Sequence, residues 1–240
     1  MKFFNWNTVR LVLMFALVIF LFSFTSIRNS QRKLKRSEVI FVGQNNDFVK
    51  QETVNKLLIE NKSDVRSIAK ENLNLNKLEN SINQHPMIEK SDVFVTVDGV
   101  LKVLVKQKTP IARVFDELGS FYIDYEGNTM PLSEINTARV PLVSGEITNK
   151  NRKELSKILK IIYDDEFLKK NIIGVQILTG DEVMMTNRNF DYQIDFGKMI
   201  NVEKKFKDYK AFFQKAILDS TLYKYKKISL RFTQQVVCSK

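Results

Sequence analysis

The stretch SDVFVTVDGVLKVLV, residues 91–105, decides the fold. Val93, Val95 and Val97 alternate with Phe94 and Thr96, and Leu101, Val103 and Val105 resume the alternation after Asp98-Gly99. A period of two lines one face of a strand, and Asp-Gly tolerates the positive φ of a two-residue turn, so the stretch reads as a β-hairpin with one apolar face to bury. Just upstream, Leu75, Leu78 and Ile82 fall at i, i+3 and i+7 in a helix that stops before Pro86. Val54, Leu57 and Leu58 mark an earlier helix within residues 50–60. Ahead of both, EVIFV at 38–42 is a short strand closed by the turn formers Gly43-Gln44-Asn45-Asn46-Asp47. Strand, helix, helix, strand, strand makes a small α+β module with one sheet face under two helices.

Downstream the pattern turns β-rich. Residues 121–124 and 129–132 flank Glu126-Gly127-Asn128 as a hairpin, and residues 140–145 form a further short segment. Leu155, Ile158, Leu159 and Ile162 share one face of a helix over 150–163, and residues 172–178 and 183–186 read as strands around Thr179-Gly180-Asp181-Glu182. Phe190, Tyr192, Ile194 and Phe196 occupy one face of the next strand, while Asp191, Gln193 and Asp195 occupy the other, which is expected to meet water. Val202, Phe206, Tyr209, Phe213 and Ile217 then recur on one helical face, with Asn201 as its expected N-cap. A last strand is expected over 228–237, in which Leu230 and Phe232 are expected in the core.

At the other end of the chain, residues 11–27 (LVLMFALVIFLFSFTSI) carry no charge and reach the lower limit for crossing ~30 Å of hydrocarbon as a helix. Phe24-Thr25-Ser26 is a poor small-x-small cleavage site, so the run reads as a retained anchor in preference to a signal peptide. Lys2 and Arg10 precede it, and Arg28, Arg32, Lys33, Lys35 and Arg36 follow. A bare positive-inside count therefore points the wrong way, but a long folded region translocates largely regardless of charge, and the N-terminus is placed in the cytoplasm. The basic collar reads as a solvated stop to the anchor, with contact to headgroups as its other reading.

Composition narrows the chemistry. The 240 residues include one Cys (Cys238) and one His (His85), which excludes a disulfide framework and a multi-cysteine metal site and leaves little for imidazole or thiolate catalysis. No G-x-x-x-x-G-K, G-x-G-x-x-G or G-x-S-x-G occurs. Asp164-Asp165-Glu166 reads as a solvated helix end and His85 as a capping or surface residue, so no catalytic, metal or cofactor role is assigned and no cofactor is expected. The net charge of +11 invites nucleic acid. A translocated chain does not meet DNA, however, and Lys204, Lys205, Lys207, Lys210 and Lys215 fit the solvated face of an amphipathic helix.

The passage His85-Pro86-Met87-Ile88, then Ser91-Asp92-Val93, then 101–105 and Thr109-Pro110-Ile111-Ala112 resembles the "hP-x-V-x-x-A-x-V … L-x-I-x-V-x-E-R-x-P-x-A" wording of the POTRA domain in the bacterial cell-division family FtsQ/DivIB. Lys106-Gln107-Lys108 replaces the acidic-then-basic pair usual there, and Asp92 stands where a small residue is common. Residues 140–145 resemble the family's "L-P-x-L-x-G" step, Gly197 its "L-x-L-G" ending, and 228–237 its "Y-x-D-L-R-Y-x-N-x-x-x-V" strand, with Ser229 in place of the usual acid and Gln234 in place of a common Asn. The resemblance implies an α+β architecture: a cytoplasmic tail (1–10), a transmembrane helix (11–27), a basic juxtamembrane linker (28–36), a POTRA domain of β-α-α-β-β order (37–112) and a C-terminal mixed α/β domain (113–240) with an extended, mostly antiparallel sheet.

The same resemblance implies a non-enzymatic divisome scaffold at the septal inner membrane, whose partners are the single-span proteins FtsB and FtsL. The expected partner-binding residues are Arg231, Phe232, Thr233, Gln234, Gln235, Val236 and Val237, on a final strand whose free edge would accept a strand of FtsB. Arg231 is equally compatible with a structural ion pair. Two other classes compete: a POTRA-type envelope chaperone or polypeptide-transport component, and a membrane-anchored envelope enzyme. The first lacks the barrel or transporter domain that would follow its POTRA repeats, and the second lacks a catalytic constellation.

Overall fold

The opening helix follows directly from its composition. In the computed structural model, which describes residues 6–30, 33–43, 48–59, 73–116, 119–232 and 234–240, α1 (Trp6–Ser30) extends the apolar run at both ends. Its Trp6–Arg28 part is long and apolar enough to cross a bilayer, and its apolar side chains are exposed. The turn-former cluster at 44–47 and Thr233 lie outside the described residues.

The first unit contains β1 (Arg36–Val42), α2 (Gln51–Ile59), α3 (Leu75–Asn83), β2 (Ile88–Val95) and β3 (Val100–Gln107), the β-α-α-β-β order read from the sequence. Its three strands are ordered β1-β3-β2, with β1 parallel and β2 antiparallel to β3. The Asn74 side chain starts α3 by accepting from the Lys77 N–H at 3.0 Å, and Pro86 lies just beyond its end. Leu78 and Ile82 from α3 and Val54 and Leu58 from α2 pack on Val93, Leu101, Val103 and Val105. Paired residues stop at Val95↔Leu101, so the hairpin turn is wider than the expected two residues. It is closed by Gly99 N–H to Thr96 O (3.0 Å), with Gly99 at φ +83°. The linker expected over 28–36 is also shorter: Leu34 is buried in this core and Arg36 already belongs to β1.

The chain divides into its two compact units at Gln107/Lys108, earlier than the expected 112/113, because Pro110 opens a strand of the second sheet. That unit runs β4 (Pro110–Asp116), β5 (Gly119–Asp124), β6 (Thr129–Met130), β7 (Leu142–Gly145), α4 (Arg152–Asp164), α5 (Glu166–Asn171), β8 (Ile172–Leu178), β9 (Glu182–Asn187), β10 (Gln193–Lys198), α6 (Val202–Leu218), a 3-10 turn (Leu222–Lys224), β11 (Lys227–Ser229) and β12 (Val237–Ser239). They form a nine-stranded sheet ordered β12-β11-β10-β9-β8-β7-β4-β5-β6. Helical crossovers create two of its parallel pairs, β7/β8 through α4 and α5 and β10/β11 through α6; β4/β7 is the third, and the remaining neighbours are antiparallel.

Leu155, Ile158, Leu159 and Ile162 of α4 and Phe206, Tyr209 and Phe213 of α6 bury the core against Val175, Ile177, Val183, Met185, Ile194 and Phe196. Gly145, at φ +96°, lies so close to Ile177 that a Cβ would sit 2.0 Å from its carbonyl oxygen. Asn201 does not cap α6 as expected: it sits at φ +51° and makes no side-chain cap bond, having turned left-handed to redirect the chain out of β10. Lys205 departs from the solvated face expected for the α6 lysines. It is 3% exposed and donates to the Phe196 and Lys198 carbonyls at 2.7 and 2.8 Å, and burial lowers its pKa.

Candidate partner-binding edge

The segment expected as one final strand is two short strands and a connection. β11 ends at Ser229, Arg231, Phe232 and residues 234–236 lie outside the ladder, and β12 returns antiparallel, pairing Lys227 with Ser239, Ile228 with Cys238 and Ser229 with Val237. The outer side of β11 is therefore covered by the chain itself, and among the described residues the edge at this end of the sheet is β12.

The register shows which backbone groups that edge presents. Gln193 N–H donates to Lys226 O at 2.9 Å and Leu230 N–H to Asp195 O at 2.8 Å, so the Lys226 C=O, the backbone groups of Ile228 and the Leu230 N–H face β10, while the Lys226 N–H donates to Ser239 O of β12 at 2.9 Å. By alternation Lys227 and Ser229 turn theirs toward β12, where they face Ser239 and Val237. Alternation then points the N–H and C=O of Cys238 outward, the donor and acceptor an added strand needs. The Cys238 side chain stands on the sheet face and packs against the core, where burial raises its thiol pKa.

The chain leaves the ladder because Arg231 is engaged elsewhere. Its Nε donates to both Asp195 oxygens at 2.9 and 2.8 Å, while Nη1 and Nη2 reach the two Glu182 oxygens at 2.8 and 2.6 Å. Lys227 Nζ adds a third cationic contact, 2.9 Å from Asp195 Oδ2. Asp195, expected to meet water, has its side chain only 4% exposed. Burial alone would raise its pKa, but the hydrogen bonds from Arg231 and Lys227 outweigh it and hold the carboxyl below its usual value. The register shifts between Asp195 and Gly197, and a Cβ on Gly197, which has φ +66°, would sit 2.9 Å from Arg231 Cγ. The bulge thus lets the arginine stem cross the strand.

The six described residues of the expected seven consequently separate. Arg231 makes the ion pairs of the clamp. Phe232, expected in the core, is 52% exposed because the chain has left the sheet before it. Gln234 and Gln235 are exposed in the connection, Val236 packs partly against the core, and Val237 alone lies in β12. Leu230 is in the core as expected. Cys238 and Ser239 of the edge, and Asp195 and Glu182 of the clamp, escaped the sequence reading; Gln234-Gln235, which interrupts the apolar alternation, was the available signal.

Groups weighed for chemistry are engaged structurally. His85 Nδ1 accepts from the Met87 N–H at 3.3 Å in the turn after α3, and burial lowers its pKa. Asp165 caps α5 by accepting from the Leu168 N–H at 3.0 Å and pairs with Lys210, while Asp164 accepts from the Tyr125 hydroxyl at 3.0 Å. Among the described residues, no group of three or more His, Cys, Asp and Glu side chains is placed to hold a metal ion.

An N-terminal apolar helix, a β-α-α-β-β unit and a nine-stranded C-terminal unit define a class, proteins that carry a POTRA-like module ahead of a C-terminal β domain. Residues 39–106 match the POTRA-like domain. Residues 109–239, more than half of the chain, match the family described as FtsQ/DivIB, C-terminal related, and the chain belongs to that family. The membership gives it a role in bacterial cell division. Among solved structures, the major extracytoplasmic domain of the trans isomer of the cell-division protein DivIB from Geobacillus stearothermophilus is similar at 14% identity, covering 47% of this chain and 95% of that one, with a TM-score of 0.30. No curated protein matches the chain.

Proposed function

We propose that the chain is a bitopic, non-enzymatic scaffold of the divisome at the septal inner membrane. Its N-terminus lies in the cytoplasm, α1 is a retained anchor, and both folded units lie outside. Its sheet binds the FtsB/FtsL pair by accepting a strand of FtsB along β12. The observation that carries the reading is the position of β12 at the sheet edge, with the N–H and C=O of Cys238 turned outward. A three-residue edge is too short to invite uncontrolled pairing, yet it offers a register for one added strand. The Arg231 clamp holds the start of the connection that leads to it. Phe232, Gln234, Gln235, Val236 and Val237 then flank the added strand as side-chain contacts.

Photoreactive residues at Gln235 and Val237, introduced one at a time in growing cells, test the proposal by identifying the captured protein. FtsB is the expected product. A broad set of nascent envelope proteins would favour the chaperone reading, and no product at either position would remove the edge as a binding site.

A further inference from the structure

We propose that the β2–β3 turn of the first unit sits in the headgroup layer of the leaflet from which α1 emerges, with Val97 inserted among anionic phospholipids and Lys33, Lys35 and Arg36 against their phosphates. The inference rests on the reading of α1 as a retained membrane span.

Two observations fix the turn to the end of that helix. Leu34 is 2% exposed, its side chain in the core of the first unit, while Lys33 and Lys35 on either side are exposed. Lys35 N–H donates to Gly99 O at 2.8 Å, and the Lys33 carbonyl oxygen lies 3.4 Å from the position a Cβ on Gly99 would take. The residues that follow the tether are thus bound side by side with the turn. Only residues 31 and 32 separate Ser30, the last residue of α1, from Lys33, so the span is at most ~11 Å at ~3.8 Å per Cα step.

The depth of the helix follows from the same arithmetic. The uncharged run 11–27 is roughly 25 Å of helix, which places its end near the hydrocarbon boundary, and Ser30 lies about 4.5 Å further on, still among headgroups. Lys33 and the turn are consequently held within about one Debye length of the charged surface. The opposite end of the sheet is remote: β1 and β3 both start here, at Arg36↔Val100, and finish at Val42↔Lys106, about 20 Å away.

The end held against the membrane has the composition that binds there. Val97, at 85%, is the most exposed large apolar side chain among the described residues. Lys33, Lys35 and Arg36 are exposed around it. The carboxylates nearby are Asp98 in the turn and Glu38, which lies 3.9 Å from Arg36, so cations are in surplus. An apolar tip with flanking cations gains from partition into the interface and from attraction to anionic lipid together.

The test uses the full chain carrying Cys238→Ser and a single bimane-labelled Val97→Cys. It is reconstituted in nanodiscs of phosphatidylcholine or of an equal mixture with phosphatidylglycerol, each doped with headgroup-nitroxide lipid. The comparison label is at Gln84→Cys, beside the far end of β2. In mixed discs the label at 97 should be quenched at least about threefold more than the label at 84, with weaker quenching in phosphatidylcholine alone. Replacing Lys33, Lys35 and Arg36 together by Gln should abolish the difference between the two lipids. Equal quenching at 97 and 84, or quenching at 97 that ignores lipid charge, would overturn the proposal while leaving the anchor intact. A chain that fails to remain with the discs would overturn the anchor reading itself, and this proposal with it.

Discussion

Replacing Arg231 by Ala removes four charge-assisted hydrogen bonds at once, two to Asp195 and two to Glu182. The cost is set by what remains. The Asp195 side chain is only 4% exposed and would keep Lys227 as its cation, whereas Glu182 is 28% exposed and regains water. Breaking a fully buried pair costs about 3–5 kcal/mol and an exposed one about 0–1 kcal/mol, so a clamp with one buried and one wetted carboxylate should cost about 2 kcal/mol. For a domain of this size that corresponds to a fall of roughly 8 °C in the melting of the second unit, measured by calorimetry on the full chain in detergent.

The pH dependence supplies a sign. Asp195 has a lowered folded pKa, so its contribution is present above the unfolded value of about 3.9 and is lost as pH falls through the folded value. The gap between wild type and Arg231→Ala should accordingly be full above about pH 4 and close below it. A double-mutant cycle with Asp195→Asn should show a coupling of about 1 kcal/mol or more. A variant that melts within about 1 °C of wild type, with no coupling, would refute the clamp.

Three further outcomes are expected. Gly145→Ala forces a Cβ to 2.0 Å from the Ile177 carbonyl oxygen at φ +96° and should cost about 3 kcal/mol or more, read as loss of the folded second unit in limited proteolysis; a wild-type digestion rate would contradict the close approach. Lys205→Met leaves the Phe196 and Lys198 carbonyls without their donor and should destabilise by about 2 kcal/mol in urea titration, whereas a neutral result would mean that losing a buried charge offsets those bonds. A reporter active only in the cytoplasm, fused after Lys240, should be silent, and a mature chain beginning near Arg28 would show that the anchor had been cleaved.

What the sequence made legible was local. Alternation marked β2, β3, β8 and β9, and the four-residue apolar rhythm marked α3, α4 and α6, because each buries one face against a single neighbour. Long-range choices were not legible. Ile228-Ser229-Leu230-Arg231-Phe232 keeps the period of a strand, yet the chain turns out after Leu230 because Arg231 pairs with Asp195 and Glu182, residues separated from it by 36 and 49 positions. Asp195 and Lys205 each occupy a position that a pattern of polar and apolar residues assigns to water, and each is buried by partners that the pattern does not contain. The division at 107/108 was obscured similarly: Thr109-Pro110-Ile111-Ala112 continues the wording of the first module while its backbone begins the second sheet.

Backbone amide exchange at Cys238 tests most directly whether β12 is the partner-binding edge. The measurement is made on the full chain in detergent, with and without the membrane-distal segment of FtsB at saturating concentration. An added strand would take the outward N–H of Cys238 as donor, so its exchange should slow at least about tenfold on binding, while Ser239, whose backbone groups face β11, changes little. Cys238→Pro, which removes that donor and none of the β11–β12 hydrogen bonds, should weaken binding. Saturated binding with unchanged exchange at Cys238 would contradict the account.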